Sequence, residues 1–109
     1  VTVVACDVAD REQLAAVLDA VPEEYPLAAV VHAAGANAAG PLADTTVADA
    51  AAVISGKVAG AVNLDALLGD RELDAFVVFS SIAGVWGSGG QAAYGAANAY
   101  LDALVEDRR

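Results

Sequence analysis

Short apolar stretches alternate along this chain with longer ones in which apolar residues return every three or four positions. Val1-Thr2-Val3-Val4-Ala5-Cys6 is brief, β-branched and closed by Asp7, the pattern of a buried strand. Asp10 then stands as an N-cap for a helix over Arg11 to Ala20, with Leu14, Val17, Leu18 and Val21 on one face. Pro22 and Pro26 bracket a turn before a second strand, Ala28 to Ala34, which Gly35 stops. A loop of small residues leads to a long helix from Val47 to Leu68, ended by Gly69-Asp70. Asp74 to Ser81 forms a third strand, apolar almost throughout, as parallel strands covered on both faces are. After a glycine-rich loop, Gln91 to Arg108 make a last helix, whose closing Arg108 and Arg109 suit the negative end of its dipole.

Strand and helix in strict alternation predict an α/β fold with a parallel sheet and helices on both faces. The length of 109 residues leaves room for one core, and the 58% hydrophobic content, mostly Ala and Val, favours a folded interior over disorder. No stretch is expected to span a membrane and the first residues do not read as a signal peptide, so a cytoplasmic protein is expected. A net charge of −10 disfavours nucleic acid as a partner, and Cys6 with the single His32 offers neither a disulfide nor a metal-ligand set. Cys6 reads as a small buried hydrophobe.

The chemistry concentrates in four polar residues. Tyr94 and Asn98 lie four apart, hence on one face of the last helix, and Ser81 ends a strand thirteen residues before Tyr94. The carboxyl ends of strands line the ligand crevice of open α/β sheets. Lys57 stands alone in an apolar helix between Gly56 and Gly60. Taken singly, Lys57 is a lysine that reaches out to water, Ser81 a capping serine, Tyr94 an interfacial tyrosine and Trp86 a packing anchor. Gly87-Ser88-Gly89-Gly90-Gln91-Ala92 matches a dinucleotide-binding turn in letters only, because it lies several residues after its strand and leads to no second strand.

Together, Ser80-Ser81-Ile82-Ala83-Gly84, the run Gly89 to Leu104 and His32-Ala33-Ala34-Gly35 resemble the ketoreductases of modular polyketide synthases, a branch of the short-chain dehydrogenase/reductase superfamily. The resemblance covers essentially the whole chain. It implies Tyr94 as general acid, Ser81 as hydrogen-bond donor to the substrate carbonyl, and Lys57 and Asn98 as the supporting pair. Most of the superfamily carries lysine four after the tyrosine; the exchange of that lysine with an asparagine marks the polyketide branch. Hydride delivered to a ketone leaves an alkoxide, so a site for it needs a proton and donors aimed at the oxygen, and an ammonium beside a phenol favours the phenolate.

The same resemblance sets Asp7, with Val8, at the adenine end of a nicotinamide cofactor, although Asp7 reads equally as a helix-entry cap. It sets His32, Ala33, Ala34 and Gly35 beside the cofactor, where small residues let the backbone approach, with the His32 side chain itself structural. Trp86, the absence of Leu-Asp-Asp from the loop that here reads Asn37-Ala38-Ala39, and Gln91 three before Tyr94 resemble the A1 subclass of A-type enzymes, which form the L-configured alcohol.

The expected fold class is thus a Rossmann-like, doubly wound parallel sheet of which only the central β-α-β-α-β-α part is present. Residues 1–109 would be a partial ketoreductase domain, lacking its N-terminal βαβ and C-terminal parts, and inactive alone. In the strand order 3-2-1-4-5-6 the first strand would lack its neighbour. The implied activity is NADPH-dependent reduction of a β-ketoacyl thioester held on an acyl carrier protein, with the rest of the domain and the synthase module as partners. The alternatives are a stand-alone dehydrogenase of free ketones and a silent structural domain of the same fold.

Overall fold

The computed structural model describes residues 1–108; Arg109 lies outside them. The elements run α1 (Arg11–Asp19), β1 (Ala29–His32), a single 3-10 turn (Leu42–Asp44), α2 (Val47–Ile54), a π-helical turn (Ser55–Ala59), α3 (Gly60–Leu68), β2 (Ala75–Val78), α4 (Ala83–Trp86) and α5 (Ala92–Asp107). The helix starts follow their caps. The Asp10 carboxylate accepts from the Glu12 and Gln13 N–H groups, and Thr46 and Asp49 bond reciprocally as a capping box.

β1 and β2 pair in parallel, with Ala29, Val30, Val31 and His32 opposite Ala75, Phe76, Val77 and Val78. Between them, residues 47–68 form one continuous helical run, α2 through α3, whose Leu64 and Leu68 pack back on the sheet. Leu14 of α1 with Leu64 and Leu68 of α3 forms a buried cluster, closed by Val30 and Phe76 from one sheet face and by Cys6 and Leu18. Val31 and Val77 face the other way, 60% and 42% exposed.

Two expectations need correction. Val1–Cys6 forms no strand: among the described residues no strand lies beside it to take its N–H and C=O groups, and Val1, Val3 and Val4 are exposed. The run Val47–Leu68 does have the length and apolar character of a membrane span, contrary to the reading that no stretch does. Its buried residues, Val53, Lys57, Gly60, Ala61, Leu64 and Leu68, give it an inner face within this fold. Arg108 serves another helix besides its own: its guanidinium pairs with Asp65, donates to the Gly69 carbonyl at the end of α3 and lies 4.7 Å above the Phe76 ring.

α4, inside the expected glycine-rich loop, was not anticipated. It lies so close to α5 that a Cβ on Gly84 would stand 2.9 Å from the Ala99 nitrogen, and one on Gly95 3.0 Å from the Ala83 oxygen. These two glycines bring the segment after Ser81 against the helix that carries Tyr94.

Candidate active site

Lys57 occupies the middle of the π-helical turn and is only 6% exposed, so it does not reach out to water. Its ammonium donates to the Phe79 carbonyl at 2.7 Å and lies 5.5 Å from the centre of the Tyr94 ring. A buried cation needs such partners, and a carbonyl oxygen and an aromatic face are both suitable. Gly35, past the end of β1, rests on the lysine stem: a Cβ there would come within 3.3 Å of Lys57 Cε.

Tyr94 sits half-buried in the first turn of α5. Asn98, one turn later and fully buried, donates from Nδ2 to the Tyr94 carbonyl at 2.7 Å, while its Oδ1 has no partner among the described residues. The Asn98 carbonyl in turn accepts from the Ser80 hydroxyl at 3.3 Å. The Ser81 hydroxyl oxygen accepts from the Ala83 N–H at 3.2 Å, and its carbonyl accepts from the Gly84 N–H, so Ser81 holds the first two N–H groups of α4, whose N-cap is Ile82. An oxygen that accepts in this way keeps its own proton to donate.

Lys57, Tyr94 and Asn98 are therefore joined by direct contacts. Ser81 is joined through its chain neighbours, with Phe79 on the lysine, Ser80 on Asn98, and Ala83 and Gly84 against α5. Strand end, π-turn and first helical turn converge on one place. Such a place brings an ammonium, a phenol ring and a fully buried amide together.

The other candidate residues have contacts of their own. His32 is buried, its ring nitrogen Nε2 2.8 Å from the Lys57 carbonyl, so the ring is turned to the helix and leaves the strand end to Ala33, Ala34 and Gly35. The Asp7 carboxylate accepts from the Ala9 N–H, and the Val8 carbonyl is held by the Asn63 amide. Gln91 precedes α5 and donates to Asn37 Oδ1 at 3.1 Å, and the Gly40 N–H donates to the Gly90 carbonyl, zipping the loop after β1 to the loop before α5. Between these loops and α4 lies a cavity of about 320 Å³ lined by Leu42, Ala83, Gln91 and several glycines. Trp86 is 83% exposed at the end of α4. A larger cavity of about 1240 Å³ lies away from Lys57 and Tyr94, between the end of α3, Phe76 and α5.

Sequence reasoning missed the Phe79 carbonyl, the Ser80 hydroxyl and the use of His32. The one signal for the last was Gly60, three after Lys57, where a Cβ would stand 2.7 Å from Val8 Cγ2 and 2.9 Å from His32 Cε1.

Residues 1–109 match the family model described as KR domain. Polyketide synthase GfsA of Streptomyces halstedii is 60% identical over 99% of the chain, which spans 1% of that protein. An A1-type ketoreductase structure superposes with a TM-score of 0.95 at 54% identity, over 99% of this chain and 23% of that one. A short-chain dehydrogenase/reductase from Vibrio parahaemolyticus, 21% identical, shares the fold, with a TM-score of 0.84 over 97% of this chain and 52% of its own.

Proposed function

The chain belongs to the KR domain family, the ketoreductases of modular polyketide synthases, and from that premise we propose that it carries the proton-donating half of a site that reduces a ketone. The substrate in this reading is a β-ketoacyl thioester on an acyl carrier protein, the reductant NADPH, and the product the L-configured β-hydroxyacyl thioester. The observation that carries it is the buried Lys57 ammonium, 5.5 Å from the Tyr94 ring.

The residues present fit a nicotinamide cofactor. The segment just past β1 is Ala33, Ala34 and Gly35, without bulk, and Gly35 rests on the Lys57 side chain. Backbone can approach a nucleotide closely there. Lys57, Tyr94 and the Ala33–Gly35 segment would hold the nicotinamide half, with Asp7 and Val8 toward the adenine. When bound, the cofactor supplies the hydride.

The chain's own groups handle the oxygen. Tyr94 gives its phenolic proton to the oxygen that becomes an alcohol, and Ser81 donates a hydrogen bond to the same atom, stabilising charge as it builds. The Lys57 ammonium faces the Tyr94 ring and places a positive charge beside the proton donor. Asn98 ties the first turn of α5 so that the phenol keeps its place. Trp86 and Gln91, at the two ends of the loop between α4 and α5, are the residues for stereochemical choice.

Steady-state reduction of a β-ketothioester by NADPH, measured on the complete domain that contains this chain, tests the reading. Tyr94→Phe removes one hydroxyl, and kcat is expected to fall about 10²- to 10⁴-fold, the usual worth of general acid catalysis. A variant that turns over at the wild-type rate removes Tyr94 from the mechanism.

A further inference from the structure

His32 and Lys57 are bound to each other in a way that catalysis by Lys57 does not by itself require. The imidazole is 3% exposed and its Nε2 lies 2.8 Å from the Lys57 carbonyl. A carbonyl can only accept, so Nε2 carries the proton. The same carbonyl also takes the Gly60 N–H, within a π-turn whose spacing departs from the helices on either side. The far end of the lysine donates to the Phe79 carbonyl at 2.7 Å, and the Phe79 N–H donates back to the His32 carbonyl at 3.0 Å. His32, Lys57 and Phe79 thus close a ring of three hydrogen bonds across β1, the π-turn and the end of β2. Gly60 admits the imidazole, since any Cβ there would collide with it.

We infer that His32 is a positioning residue: its Nε2–H pins the main chain of Lys57 in the π-turn and so fixes where the ammonium stands against Tyr94. The inference rests on the reading of Lys57 and Tyr94 as a working pair. A ring that only filled space would need neither the donor nor the carbonyl. A leucine of similar bulk would serve it as well.

His32→Leu and His32→Gln separate the two roles in the complete domain, assayed with a β-ketothioester and NADPH. Loss of the donor lets the ammonium drift, and displacements of about an ångström at a reacting centre cost up to about 100-fold in kcat. His32→Leu is expected to lose about 10- to 100-fold in kcat with the thioester KM unchanged, and His32→Gln, which keeps an amide donor, to recover most of that loss. On a Lys57→Ala background, His32→Leu should cost nothing further. Wild-type kcat in His32→Leu, or equal losses in the leucine and glutamine variants, overturns the inference. Wild-type turnover in Lys57→Ala would instead overturn the reading of the site itself. Should the leucine variant not fold, the imidazole ¹⁵N spectrum of the wild-type domain decides: a protonated Nε2 is expected, and a bare Nε2 overturns the inference.

Discussion

At Gly60 one hydrogen atom separates a closed site from an open one. Val8, His32 and the turn that holds Lys57 all meet there, and a methyl group would lie 2.7 Å from Val8 Cγ2 and 2.9 Å from the imidazole. Gly60→Ala should therefore destabilise the complete domain by about 1–3 kcal/mol despite alanine's better helix propensity, because overpacking outweighs it. A thermal melt at or above the wild-type midpoint would refute this. The four polar residues were legible in the sequence for particular reasons. Tyr94 and Asn98 share a helix face by spacing, and Lys57 stands out in apolar surroundings. The His32 contact was not legible, since its partners are 25 residues apart and no periodicity links them.

Among the elements, α1 and α2 follow their caps closely, because Asp10, Thr46 and Asp49 satisfy N–H groups that the helix itself cannot. The strands are shorter than the apolar runs that announced them, and Val1–Cys6 is none at all. A strand is a property of a pair, and hydropathy cannot show the missing neighbour. The π-turn is likewise invisible in composition, which is the same for either helix. The caps carry a pH signature. The Asp10 carboxyl is held below its ordinary 3.8 by the Gln13 backbone N–H and then the Gln13 amide, and Asp49 by the Thr46 hydroxyl and then the Thr46 N–H. Both groups prefer the charged form when folded, so their contribution is present above 3.8 and is lost as pH falls through the lower folded values. The double variant Asp10→Asn, Asp49→Asn keeps cap acceptors that do not titrate. Melting of the complete domain at about pH 6 and about pH 3 should then differ less for the variant than for wild type, and an equal difference would deny the caps this role.

The whole molecule is more drawn out than its length requires. Its radius of gyration is 15.1 Å, against about 13 Å for a compact domain of this size. One sheet face, with Val31 and Val77, is open, while the other carries the core. Parallel sheets are stable when both faces are covered. The chain spans 23% of the A1-type ketoreductase it superposes on. Produced alone, this segment should bind a hydrophobic dye and unfold without a sharp transition, whereas the complete domain should do neither. A dye-free, cooperative melt of residues 1–109 would contradict this.

The wide turn at Ser55–Ala59 makes chain length itself a determinant of where the Lys57 ammonium stands. Each residue advances a helix by about 100°, so shortening the segment between Thr46 and Lys57 by a single residue would turn Lys57 relative to the start of α2 while leaving Lys57 and Tyr94 themselves unchanged. Hybrid synthases assembled from related genes should accordingly be spliced outside this interval, or within it only between parents of equal count.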